Sequence, residues 1–174
     1  MSIDLLKTLL KFEKDELKLS DEKWSSVQNE LNILFPEDYK EIISLLGSGA
    51  VNDFLWIFSP FSSNANLNLI NKFYEIRDSY EYMKKNFPEK FSLEYYNGER
   101  GIFPWGITDN GDELYWNFKD DSAEILVYAS RYSSMMKYKM NLLDFLIGVL
   151  SKKIYCDIFP KDFVLDENYY VAID

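Results

Sequence analysis

The stretch GIFPWGITDNGDELYWNF, from Gly101 to Phe118, decides the reading of the fold. Two short β-prone runs, Gly101–Thr108 and Glu113–Phe118, flank Asn110-Gly111, the dipeptide that most strongly marks a hairpin, and a type I′ turn is expected there. A third run, Ile125–Tyr128, follows after further turn residues. Three short strands close together in sequence predict an antiparallel sheet in the middle of the chain.

Outward from this hairpin the periodicity becomes helical. Toward the N-terminus, Phe73, Ile76, Tyr80, Met83 and Phe87 recur at steps of three and four, and Pro88 follows, which predicts a helix over Asn71–Phe87. Further back, Ala50–Phe58 reads as a strand, and Pro60 with the Ser62–Asn68 stretch as a loop. Pro36, Glu37 and Asp38 suit the first turn of a helix whose apolar face is Tyr39, Ile42, Ile43 and Leu46, with Gly47 as its stop. Ser20 reads as an N-cap for a helix carrying Trp24, Val27 and Leu31, ended by Phe35-Pro36. Ile3–Phe12 has helical spacing as well. Toward the C-terminus, Ser133-Ser134 leads to a last helix with Leu142, Phe145, Leu146, Val149 and Leu150 on one stripe. A tail of two extended pieces, Ile154–Phe159 and Tyr169–Ile173, remains. The expected class is α+β: a central antiparallel sheet flanked by N-terminal helices, a middle helix and a C-terminal helix, in a single domain over residues 1–174.

Composition narrows the chemistry. The chain has no His, and Cys156 is its only Cys. A Ser-His-Asp or Cys-His site and a typical zinc site are therefore excluded, and no cofactor is expected. The formal charge is −10, from 29 acids against 19 bases, which repels nucleic acid and attracts basic proteins. Thirteen Tyr residues suit a protein-binding surface. Met1-Ser2-Ile3-Asp4 lacks the build of a signal peptide, and no apolar run approaches the ~20 residues needed to span a bilayer, so the cytoplasm is the expected location.

Several tempting motifs dissolve on inspection. Gly47-Ser48-Gly49 closes a helix and leads into a strand, the reverse of a phosphate loop. Asp109-Asn110-Gly111-Asp112-Glu113 lacks the ligand spacing of a calcium loop, and a turn explains it. Glu94, Glu99, Asp112 and Glu113 are the carboxylates a glycosidase-like hydrolase would use, and that reading ranks last. Trp56, Trp105 and Trp116 are expected in the core, and Cys156 as a small buried hydrophobe.

The order of motifs resembles the SUKH superfamily, also called the SMI/KNR family, from about Trp24 to Leu150. Glu30 precedes Leu34-Phe35-Pro36-Glu37-Asp38-Tyr39-Lys40; Gly47-Ser48-Gly49, Phe103-Pro104-Trp105-Gly106, Thr108-Asp109-Asn110-Gly111-Asp112 and Tyr115-Trp116 follow, and Asn141–Leu150 stands where the family's closing helix belongs. The resemblance implies an α+β fold with a central antiparallel sheet and no catalytic residues. In bacteria it implies an immunity protein that neutralises a polymorphic toxin, often a nuclease; in fungi, a part in cell-wall signalling.

A partner of that kind has a basic surface, and the acidic segment is where it is expected to bind. From Asp109 to Glu124 six acids, Asp109, Asp112, Glu113, Asp120, Asp121 and Glu124, stand against Lys119 alone. With Tyr115 or Trp116 beside them they are the candidate contacts. An ordinary charged hairpin edge that resists aggregation explains the same residues equally well. The tail from Asp157 to Asp174, with five acids against Lys161, extends the acidic surface on the first reading.

Overall fold

The computed structural model describes residues 2–13, 15–119 and 122–173. In chain order the elements are α1 (Ile3–Leu9), β1 (Leu10–Lys11), α2 (Asp21–Leu31), α3 (Glu37–Leu46), β2 (Gly49–Val51), β3 (Leu55–Ile57), α4 (Leu69–Asn86), β4 (Gly101–Thr108), β5 (Glu113–Lys119), β6 (Ser122–Ala129), β7 (Ser134–Tyr138), α5 (Leu142–Leu150) and β8 (Asn168–Ala172). The strands form one sheet in the order β1-β8-β2-β3-β4-β5-β6-β7. Its centre is antiparallel, and β1 runs parallel to β8, so the sheet is mixed at that edge. The expected α+β class stands.

Local chemistry sets the element ends. The Ser20 hydroxyl accepts from Lys23 N–H at 3.4 Å, as an N-cap should. Helix α2 stops earlier than expected, at Asn32 in a left-handed conformation and not at Phe35-Pro36. Asn68 starts α4 by accepting from the backbone of Ile70 and Asn71. The expected single strand Ala50–Phe58 is two strands. Asn52 and Asp53, with φ of 51° and 52°, turn the chain back on itself inside that apolar run. This is the backbone a type I′ turn requires, found here and not at Asn110-Gly111. In the β4–β5 loop only Gly111 has positive φ, 82°, and its N–H bonds to Thr108 O at 2.9 Å. The loop therefore has three residues, with glycine at the left-handed position.

Two further expectations are corrected. Ser133-Ser134 introduces β7, not a helix; α5 begins only at Leu142, after its cap Asn141. Ile154–Phe159 forms turns, whereas Tyr169–Ile173 does overlap a strand, β8.

Helices α3 and α5 cover one face of the sheet. Tyr39 meets Trp116 edge-on at 4.9 Å, and Phe145 meets Trp105 at 6.3 Å. On the opposite face Tyr128 meets Phe91, which in turn meets Tyr80 of α4 at 5.3 Å. Trp105, Trp116 and Cys156 are interior as expected, while Trp56 is only partly buried.

Candidate functional site

Strand β5 divides the predicted acidic set. It spans seven residues, so its ends lie about 20 Å apart at the usual strand rise. Asp109, Asp112 and Glu113 stand at one end and Glu124, paired across from Asn117, at the other. Asp120 and Asp121 lie outside the described residues. The six acids are thus not gathered into one patch.

Each described member has its own environment. Asp109 is exposed, and its N–H donates to Phe54 O at 2.8 Å, tying the β4–β5 loop to the β2–β3 turn. Asp112 is only 8% exposed. Its Oδ2 accepts from the Thr108 hydroxyl at 2.7 Å, and its N–H donates to that same hydroxyl oxygen at 2.9 Å. Glu124 accepts from Lys119 Nζ at 2.7 Å and from Asn117 Nδ2 at 2.9 Å. Burial alone would raise its pKa, but these two donors outweigh it and hold the carboxyl below its ordinary value.

Glu113 behaves differently. Burial pushes its carboxyl up to about 7, against a lowering influence from the nearby Tyr115 hydroxyl. No hydrogen bond of good geometry joins the two, so Glu113 Oε2 and Tyr115 Oη are both buried without a partner. Tyr115 and Trp116 are each 1% exposed. Their expected place beside the acids on a contact surface is corrected: both are core rings, because β5 is central and covered on both faces.

The end of the sheet that carries Asp109 and Asp112 gathers residues the sequence keeps far apart. The β2–β3 turn lies beside it. Asn52 anchors the tail there, donating to Phe163 O at 2.9 Å and Asn168 Oδ1 at 2.8 Å while accepting from Tyr169 N–H at 3.0 Å. Phe54 packs on Phe159 and Phe163. The Tyr169 hydroxyl donates to Asp53 Oδ2 at 2.9 Å. A short 3-10 turn, Ser130–Tyr132, joins β6 to β7 at the same end. Between it, the β4–β5 loop and the tail runs a groove of about 380 Å³, lined by Asn110, Asp112, Arg131, Tyr132, Ser134 and Asp157 among others. Tyr132 is 82% exposed; Tyr155, also exposed, lines a separate pocket with Cys156 and Phe159. Tyr132 is thus the exposed aromatic ring in the groove lining, where the sequence pointed to Tyr115 and Trp116.

Sequence reasoning missed Arg131 and Tyr132. The signal for both was the Ser130…Ser133-Ser134 punctuation, which marks a turn between strands as readily as the approach to a helix. The tail's acidity was visible, and Asp157 does join the groove.

Of the four carboxylates named for a hydrolase, one reaches the groove. Asp112 lines the groove, but Glu113 is not part of its lining. Glu94 is engaged by Lys84 at 2.6 Å. Among the described residues no group of three or more His, Cys, Asp or Glu is placed to hold a metal ion. No helix among them is long and apolar enough to cross a membrane.

Comparison with known proteins fits this picture of helices on an antiparallel sheet. The chain matches the SUKH_6 family, described as SMI1-KNR4 cell-wall, over residues 21–146. No curated protein and no solved structure gives a significant match. Most of the chain is covered by the family match, and the chain therefore belongs to the SUKH superfamily.

Proposed function

We propose that this protein is a cytoplasmic immunity protein that binds a cognate bacterial toxin and neutralises it by occluding its active site or an essential surface. The observation that carries the reading is the meeting of Asp112 and Asp157 with the exposed ring of Tyr132 in one groove, beside the exposed Asp109 of the β4–β5 loop. Exposed tyrosines give contact area at low entropic cost, and acids draw in a partner whose surface is basic because it grips nucleic acid. The chain's net charge of −10 supports the same partner. The chemistry asked of the protein is recognition, with no catalytic group and no cofactor.

The test is co-expression with the toxin encoded beside this gene. Asp109→Lys combined with Asp157→Lys should abolish rescue while the circular dichroism spectrum stays native. Undiminished rescue by that double variant removes the acidic end as the contact surface. The family's cell-wall description favours a second reading, a non-catalytic scaffold for endogenous proteins; a gene neighbourhood without a toxin selects it.

A further inference from the structure

We propose that the groove between the β4–β5 loop, the 3-10 turn and the tail receives an arginine side chain presented by the partner, an assignment that rests on the toxin-binding reading. Asp112 is the centre of the argument. It is more than nine-tenths buried, yet it lines the groove. Thr108 fixes one carboxylate oxygen, Oδ2, at 2.7 Å, and among the described residues no donor bonds to Oδ1. A buried carboxylate that lines a cavity and has one oxygen held in place is preorganised to accept from a cation.

The rest of the lining suits a guanidinium more than an ammonium. Asp157 adds a second carboxylate, and Asn110 and Ser134 add neutral acceptors around the same space. Tyr132 offers an exposed ring on which a planar guanidinium stacks, while its N–H fork reaches carboxylate oxygens. A groove of about 380 Å³ holds one such side chain with room for water.

Arg131 shares the lining, and among the described residues it forms no ion pair with Asp109, Asp112, Asp157 or any other acid. It leaves the carboxylates free and acts as a competing positive charge. A second copy of this chain is a poor occupant, since each copy carries −10.

Isotope-labelled protein titrated with N-acetylarginine amide, and in parallel with the neutral isostere N-acetylcitrulline amide, tests the assignment without the toxin. Saturable amide shifts are expected at Asn110, Tyr132, Ser134 and Asp157 at millimolar arginine probe, with the citrulline probe about tenfold weaker. Asp157→Asn and Tyr132→Ala should weaken the response, and Arg131→Ala should strengthen it. Equal binding of both probes, shifts confined to other surfaces, or weaker binding by Arg131→Ala overturns the pocket. A toxin complex that forms while the groove amides stay unperturbed removes the pocket alone. Absence of any toxin complex removes the functional reading, and the arginine titration still decides the groove.

Discussion

The Asp38 carboxylate accepts the backbone N–H of Leu143 at 2.9 Å, across 105 residues of sequence. Leu143 lies in the first turn of α5, where helix N–H groups have no intrahelical partner. Asn141 satisfies Asp144 N–H at 2.7 Å, and Asp38 reaches over from α3 to satisfy the neighbouring one. One acid of the Pro36–Lys40 motif is therefore a tertiary cap, and its charge also faces the positive end of α5.

Removing that cap should cost stability. Asp38→Ala is expected to lower the unfolding free energy by about 1 kcal/mol, with Asp38→Asn losing less because its side-chain oxygen can still accept. Asn141→Ala should cost a similar amount, and because the two side chains cap adjacent donors of one helix end, the double variant should depart from simple additivity. Urea denaturation of the two singles and the double measures this. A neutral Asp38→Ala beside a costly Asn141→Ala means the long-range bond contributes nothing.

Glu113 should give the fold a recognisable pH dependence. Its folded pKa, about 7, lies above the ordinary carboxyl value of 4.5. A raised acid favours the protonated form in the folded state. Its stabilising contribution is fully present below the unfolded pKa and is lost as pH rises through the folded one, between about 4.5 and 7. At pH 8 the ionised, buried carboxylate opposes folding by up to about 3 kcal/mol. Glu113→Gln should therefore stabilise the protein at pH 8 and match the parent near pH 4.5. Equal stability differences at the two values in denaturant titrations would show that Glu113 titrates normally.

How far the sequence speaks depends on the range of the forces involved. The hairpin around Asn110-Gly111, the caps Ser20 and Gly47, and the apolar stripes of α3 and α4 are local, and residue spacing alone exposes them. The type I′ turn at Asn52-Asp53 carries a local signal, two polar turn-forming residues between Val51 and Phe54, which the apolar flanks outweigh when Ala50–Phe58 is read as one strand. Three expected contacts, Glu124, Tyr115 and Trp116, fail as a patch for a related reason. Periodicity assigns residues to alternate faces of a strand but does not say that both faces of β5 are covered, nor that its ends are far apart. The groove itself joins Asp112 to Asp157 through the tail's docking on Asn52 and Phe54, a contact no local pattern encodes.

Lys152 holds an unusual backbone. Its φ is 60°, and the bonds from Lys152 N–H to Val149 O and from Lys153 N–H to Gly148 O close the α5 terminus in the manner of a Schellman motif. Glycine is the ordinary occupant of that left-handed position, because a Cβ there is strained. The Lys152 side chain makes one exposed pair with Asp166 at 3.7 Å, worth little in water. Lys152→Gly should thus raise stability by about 0.5–1 kcal/mol, seen as a melting temperature about 2 °C higher. A lower melting temperature would mean the lysine side chain contributes more than its strain costs.

The tail beyond residue 153 should prove inseparable from the fold, even though the family match ends at residue 146. Strand β8 is last in sequence but sits between β1 and β2, and Phe159, Phe163 and Tyr170 are buried with the core. At Gly49 the two backbones meet so closely that a Cβ would stand 2.1 Å from Val171 O. Main chain cannot retreat as a flexible side chain can, so Gly49→Ala must displace β8. Its expected cost is about 3 kcal/mol, at the upper end of what single substitutions ordinarily cost. The displacement should loosen the tail's hold on Asn52 and, with it, the position of Asp157 in the groove. Hydrogen exchange on the Gly49→Ala protein should show β8 amides opening first and β5 amides remaining protected, whereas uniform protection across the sheet would mean that the tail is a dispensable cover.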